Sequence, residues 1–296
     1  MTRIRLAHLS DPHLAPLPSP SARALLSKRV FGYLNWLKNR RHALGEDILA
    51  EIVDDIARQS PDHVCVTGDL VNIALPEEFA QSAAWLTALG PADHVSVIPG
   101  NHDAYVPGAV KRAVDFWGDY ARGDNGESFP YCRRIGPVAL FGVSTGVATP
   151  PLYASGRVGS AQLAALDRLL DRHDDAFKVV MIHHPPDAGL AAGRRGLTDI
   201  GDVRDVLSAG CVNLVLHGHT HEASLKWLDT PRGRAAIVGV PSASSDGARY
   251  PMASYALIDI DFARNTARMT RRGFRRADGP IDSIEITELD FAPVLD

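Results

Sequence analysis

Five apolar runs in this chain each end in a small cluster of Asp, Asn or His. "IRLAHLSDPH" ends at Asp11 and His13, "HVCVTGDL" at Asp69, and "HVSVIPGNHD" at Asn101, His102 and Asp103. "KVVMIHHPP" ends at His183 and His184, and "CVNLVLHGHTH" at His217, His219 and His221. Short continuous runs of Val, Ile and Leu read as strands buried on both faces. Helical patterns fall between them: "GEDILAEIVDDIARQS" puts Ile48, Ile52, Val53 and Ile56 on one face, and further helices are expected near 77–89, 160–172 and 202–207. A further strand is expected near Val138 to Val143. After Ala235 the pattern is β alone, with "AAIVGV", "SYALIDID", "TARMTRRGF" and "SIEITEL" as strands. This order predicts one α/β domain over residues 1–296, its sheet extended by antiparallel strands.

Each cluster alone says little. Alternate histidines project to one side of a strand, which suits a polar strand end meeting water as well as it suits a metal. The set is more demanding, because open α/β sheets gather the carboxyl ends of their strands into one crevice. Five polar clusters converging there would offer imidazole nitrogens and carboxylate oxygens to a cation. Neutral imidazole is the commonest metal ligand, and a carboxylate has two oxygens with which to bridge two ions. Such a mixed N and O set suits Mn, Fe or Zn better than Ca.

Composition narrows the partners. The chain has 296 residues and a net charge of −4, which gives no overall drive toward nucleic acid. No DNA partner is expected. Cys65, Cys132 and Cys211 are widely spaced and odd in number, so neither a disulfide framework nor a CxxC zinc site is expected. "MTRIRLAHLS" enters a strand without an apolar signal region, and no run has the length of a membrane span, so a reducing cytoplasmic setting is expected.

The ordered motifs "DPH", "GDL", "GNHD", "HHPP" and "GHTH" resemble those of the calcineurin-like metallophosphoesterase superfamily. The resemblance is to its bacterial branch of class III cyclic nucleotide phosphodiesterases and glycerophosphodiesterases. It covers Asp11 to His221, with the closing β segments fitting the remainder. It implies an α/β fold, a four-layer α/β/β/α sandwich of two mixed sheets flanked by helices, with two metal ions at its edge. Asp11, His13 and His221 would hold one ion, Asn101, His183 and His219 the other, and Asp69 would bridge them. The ions would be divalent or mixed-valence, manganese first, with iron or zinc as alternatives. His102 would contact the phosphate and protonate the leaving oxygen, Asp103 would orient His102 through its ring N–H, and His217 would be structural. The implied reaction is phosphodiester hydrolysis by a hydroxide shared between the metals, with monoesters also open. "GDLVN" lacks the Asp-Arg-Gly of the superfamily's protein phosphatases. Two alternatives stand beside this: hydrolysis of a lipid-linked diphosphate such as a UDP-sugar lipid, and a non-catalytic binding scaffold. Retention of every implied ligand and of His102 favours an enzyme.

Residues 16–45 form an insertion after the first motif. It combines Arg23, Lys28, Arg29, Lys38, Arg40 and Arg41 with Leu25, Leu26, Phe31, Tyr33, Leu34, Trp36 and Leu37. That composition suits a cap over the active site and a peripheral membrane contact, and equally a helix packed on its own domain with a solvated basic face. Substrates would then be small phosphodiesters, nucleotide or lipid-linked. The Arg-rich stretch 264–276 is expected to be a solvated hairpin with Met269 and Phe274 packed. Arg194 and Arg195 are candidate phosphate contacts. Nothing in the sequence sets an oligomeric state.

Overall fold

A computed structural model describes residues 3–37, 46–276 and 278–293. The first sheet holds β1 (Arg3–Leu9), β2 (His63–Val66), β3 (Val95–Val97), β10 (Ser254–Asp261), β11 (Thr266–Phe274) and β12 (Ile281–Asp290), in the order β12-β11-β10-β1-β2-β3. The second holds β4 (Tyr131–Ile135), β5 (Val138–Val143), β6 (Phe177–Ile182), β7 (Leu214–His217), β8 (Ser224–Thr230) and β9 (Gly233–Gly239), in the order β4-β5-β6-β7-β9-β8. Both are mixed: β1, β2 and β3 run parallel while β10 joins β1 antiparallel, and β5, β6, β7 and β9 run parallel between antiparallel edges.

Why the motif-bearing runs are apolar throughout is plain from where their two faces go. In β1, Ile4 and Leu6 enter the core between the sheets, while Ala7 and Leu9 face a helix layer. In β6, Val179 and Met181 face between the sheets and Val180 and Ile182 face the other helix layer. Period-two alternation thus sends each strand's side chains into two different cores. The outer layers are α3 (Glu46–Gln59), α4 (Pro76–Leu89) and α5 (Ala109–Trp117) on the first sheet, and α6 (Ser160–Arg172) and α7 (Ile200–Ala209) on the second. The insertion contributes two short helices, α1 (Ala22–Leu25) and α2 (Arg29–Asn35); its residues 38–45, with Lys38, Arg40 and Arg41, lie outside the described residues.

Three elements go beyond the sequence expectation. Strand β4, "YCRRI", hides its inward face because Arg133 takes an inward position, where its guanidinium donates to the carbonyls of Val95 and Arg122. Strand β8, "SLKWLDT", is an edge strand with Lys226 and Asp229 diluting its apolar signal. Helix α5 buries Ala109, Ala113 and Trp117 at spacings of four, a stripe too narrow to register as a periodic run. The Arg-rich stretch behaves as expected: β11 buries Met269 and Phe274, and Arg268 and Arg271 pair with Glu288 and Glu285 on β12. No helix among the described residues is long and apolar enough to cross a membrane.

Candidate metal centre

The two sheets are tied together where their strands end. Ser10 bridges Ser242, and His183 Nδ1–H donates across to the Thr67 carbonyl at 2.7 Å, while within the second sheet the N–H of Gly218 donates to the His183 carbonyl. Backbone conformation concentrates strain here. Ten non-glycine residues among those described have positive φ, and five of them are Asp11, His13, Asp69, His219 and His221. Left-handed backbone costs a non-glycine residue about 1 kcal/mol or more, and persists where surrounding bonds over-determine it. The motif glycines serve the same crowding: a Cβ on Gly218 would collide with Ser10 Oγ and Asp11 Oδ2, and one on Gly100 with the Asp69 carboxylate.

The seven ligands implied by resemblance, with His102, come together in this crevice. His221 Nε2 lies 3.1 Å from Asp11 Oδ1 and 3.4 Å from His13 Nε2. His183 Nε2 lies 3.4 Å from Asp69 Oδ2 and 3.3 Å from Asn101 Oδ1, which is 2.8 Å from His219 Nδ1. Three overlapping groups have ligand atoms within 4.8 Å of one another: Asp11 with His13 and His221, Asp69 with His13 and His102, and Asp69 with Asp11 and His183. Asp11, His13 and Asp69 each belong to two groups, and Asp69 lies between His183 at 3.4 Å and His13 at 3.9 Å, one ring from each implied ligand set, as a bridging carboxylate would.

Backbone carbonyls aim the rings. His13 Nδ1–H donates to Val71, His183 Nδ1–H to Thr67 and His219 Nε2–H to Arg195. A carbonyl only accepts, so His13 and His183 turn the other nitrogen, a lone pair when neutral, toward the carboxylates, and His219 turns Nδ1 toward Asn101 Oδ1. Lone pairs then face lone pairs, and Asp11 Oδ1 is buried without a hydrogen bond. A cation between them reconciles that arrangement, so the residues fit a metal. The electrostatics agree. Burial opposes charge on the Asp11 and Asp69 carboxyls, yet His221 beside the first and His183, His102 and His13 around the second hold both below the usual carboxylate range. Burial also lowers His183, but Asp69 and Asp11 outweigh it and carry the imidazole up to about 9. A metal would take the place of that proton. Burial, reinforced by His184 and His183, keeps His219 neutral, the form in which imidazole is a ligand.

His184 and His217 stand outside these contacts. His184 bonds Thr145 Oγ1 and the Ala154 carbonyl, and burial pushes it down to about 3. His217 bonds the Gly218 carbonyl and Ser224 Oγ.

A family model described as calcineurin-like phosphoesterase matches residues 4–223. The chain belongs to that family. Among its curated relatives, a probable cyclic nucleotide phosphodiesterase of Synechococcus sp. is 28% identical over 203 residues, 65% of this chain and 69% of that one. Glycerophosphodiester phosphodiesterase GpdQ of Enterobacter lignolyticus is 27% identical over 191 residues, 61% of this chain but only 56% of its own length. In fold, the crystal structure of a dimetal phosphatase from Danio rerio matches with a TM-score of 0.67, covering 98% of this chain and 99% of that one at 14% identity.

In this calcineurin-like phosphoesterase one expectation from sequence needs correction. Asp103 does not face the His102 ring nitrogen that it was expected to orient. Its two oxygens accept the backbone N–H groups of Asp69, Leu70, Val71 and Gly100 at 2.7–3.1 Å, so its role is to clamp the Gly-Asp and Gly-Asn-His loops together. His102 Nδ1–H instead donates to the Asn72 carbonyl at 2.5 Å, while its backbone N–H donates to Asp69 Oδ1. Lys28 and Arg29 of the insertion are engaged with the protein: Lys28 Nζ donates to Thr149 Oγ1 and the Tyr153 carbonyl, and Arg29 to the carbonyls of Ile73 and Ala74. Arg195 donates to the His219 carbonyl and Arg194 lies over the Tyr153 ring.

Several contributors had no motif to betray them. Tyr105 stacks on His102 with ring centroids 5.7 Å apart, and Tyr250 lies 4.7 Å from the His221 ring. The buried Glu78 carboxylate accepts the N–H groups of Asn72, Ile73 and Leu75, fixing the loop whose carbonyl aims His102.

Proposed function

We propose that this protein is a dinuclear metal-dependent phosphodiesterase. The observation that carries the reading is the convergence of Asp11, His13, His183 and His221 about Asp69, with Asn101 against His183 and His219 against Asn101, and with backbone carbonyls fixing three of the rings. In this reading Asp11, His13 and His221 hold one ion, Asn101, His183 and His219 the other, and Asp69 both. When bound, two such ions act as Lewis acids on the phosphate oxygens and lower the pKa of a water. Manganese is the first choice, with iron or zinc accommodated by the same donors. His102 completes the site as phosphate contact and proton donor to the leaving oxygen. Its Nδ1–H is tied to Asn72, so a proton held at Nε2 is the one directed into the crevice. The diester preference is supported by the two curated relatives, a probable cyclic nucleotide phosphodiesterase and a glycerophosphodiester phosphodiesterase, of which this chain spans 69% and 56%.

A second reading of the substrate, a lipid-linked phosphoester, is favoured by an apolar cavity. It has a volume of about 390 Å³ and is lined by Leu14, Leu49, Val53, Trp85 and Leu89, with His13 in its wall. That size lies in the range of ligand pockets, and its lining suits an alkyl or aromatic substituent.

The test is side-by-side turnover by manganese-loaded protein of a bis-aryl phosphodiester, an aryl phosphomonoester, 3′,5′-cyclic AMP and a nucleotide-linked lipid diphosphate. Preference for the diester over the monoester is expected, and the last two substrates decide between nucleotide and lipid. Tight metal binding without turnover of any of them would sink the enzyme reading in favour of a scaffold.

A further inference from the structure

Helix α2 is apolar on both sides. Its inner face packs so closely that a Cβ on Gly32 would collide with Ile73 and Tyr105. Its outer face presents Phe31 and Leu34, with Leu37 beyond its end, at spacings of three, all exposed. A helix apolar all round belongs in a core or against lipid. The neighbouring surface continues the pattern. Leu26, two residues before Lys28, is 88% exposed, and the loop that Lys28 bonds carries Leu152 and Tyr153, exposed by 79% and 41%. Six of the eight large apolar side chains exposed among the described residues therefore lie on residues 26–37 or on the loop tied to them. Isolated surface leucines need no explanation, whereas a contiguous concentration marks an interaction site.

Charge selects the partner. Between Asp11 and Glu46 the chain has no acidic residue, yet it carries Arg23, Lys28, Arg29, Lys38, Arg40 and Arg41, in a protein whose net charge is −4. Arg194, stacked over Tyr153, adds a further cation at the loop. A second copy meeting this face across a two-fold axis would set like charges against one another. An anionic lipid surface answers both features, taking the exposed apolar side chains into its interface while the segment's net positive charge, with Arg23 exposed and Lys28 and Arg29 held by the protein, draws the face to anionic headgroups.

We propose that the face formed by residues 22–37 and the 149–153 loop docks on an anionic bilayer. The same segment reaches inward to the metal centre: Lys28 Nζ sits 4.5 Å from the Tyr105 ring centroid, and Tyr105 stacks on His102. Docking there would bring the crevice to the lipid surface. This deepens the lipid-linked reading of the substrate, and its readout is binding, so it stands or falls apart from the phosphodiesterase reading.

The experiment is flotation of the full chain with vesicles of phosphatidylcholine alone and of phosphatidylcholine with phosphatidylglycerol. Partitioning onto the anionic vesicles about tenfold or more above the zwitterionic ones is expected, weakening with salt. The variant Leu26→Ser, Phe31→Ser, Leu34→Ser is expected to lose about tenfold or more of that partitioning. Its melting temperature and its hydrolysis of a soluble diester should match the parent. Equal binding to both vesicle types, or none, overturns the proposal. So does unchanged partitioning of the variant, or a concentration-dependent dimer that the variant abolishes.

Discussion

Two buried carboxylate sites in this protein differ in where their cation comes from. At Asp55 on α3 the chain supplies its own: Arg272 donates to both carboxylate oxygens at 2.8 and 3.0 Å, and the Tyr255 hydroxyl donates at 2.7 Å. At Asp11 and Asp69 the surrounding partners are imidazoles, of which His183 holds a proton only because the two carboxylates outweigh its burial, and no Lys or Arg ion pair reaches either carboxylate among the described residues. Buried charge must be compensated. The first site is complete as folded, whereas the second is a demand for positive charge from outside. The difference between an internal ion pair and a metal site is thus an omission, the missing guanidinium, as much as a presence.

Removing the shared carboxylate breaks the comparison most severely. Asp69→Asn keeps the side-chain shape but loses the second anionic oxygen, so metal content and hydrolysis should both fall, activity by about a hundredfold or more. Metal analysis beside single-substrate rates checks it, with circular dichroism to confirm the fold. Chelation should lower the melting temperature of the parent and leave that of Asp69→Asn nearly unchanged, because only the parent gains stability from bound metal. Full metal content in the variant would remove Asp69 from the bridging position.

His102→Ala separates holding the metals from moving a proton. Here kcat should fall by about 10²–10⁴-fold while metal content stays at the parental level. A substrate with a good leaving group needs less protonation, so the loss should be smaller on a nitrophenyl diester than on an alkyl diester. Equal losses on both would reassign His102 to phosphate binding alone.

Much of this was legible in the sequence, and the parts that were not share a cause. The five strand ends stand out because a run buried on two faces must be apolar, so the polar residues that stop it are conspicuous. The fold class followed from their order and from the motif resemblance. Asp103 was misread because its neighbour in sequence, His102, is not its partner in space. Its partners are backbone N–H groups, which every residue has and which leave no mark in a sequence. Glu78 and the Asn72 carbonyl escaped for the same reason, and Tyr105 because one aromatic ring two residues after a motif resembles any other core ring. Strand β4 was hidden by Arg133, whose inward guanidinium satisfies carbonyls that only the folded chain brings together.

Asp103→Asn tests that corrected role. An amide can accept at only one of the two positions now taken by four N–H groups, so loss of about 1–3 kcal/mol of stability and weaker metal binding are expected. The acid and base limbs of the pH profile of kcat should stay where they are in fully metal-loaded protein. A shift in the limb assigned to His102 would restore the orienting role and overturn the clamp.

The smallest functional effect belongs to Asp55→Asn, which sharpens the comparison from its other side. Metal content and hydrolysis should be parental, while stability falls by about 2 kcal/mol, moderated because Arg272 reaches solvent. Burial alone would raise this carboxyl, but Arg272 and Tyr255 hold it below the usual carboxylate range. A depressed folded pKa means that the contribution is fully present above the unfolded carboxylate value of about 4 and is lost as pH falls through the folded one. The gap in stability between parent and Asp55→Asn should therefore be widest at neutral pH and close in acid. Chelator should leave that gap unaltered, since the cation opposite Asp55 is part of the chain. A gap that closed with chelator at neutral pH would mean that the two carboxylate sites are coupled through α3 and the first sheet, and that the ion pair helps to hold the metal centre in shape.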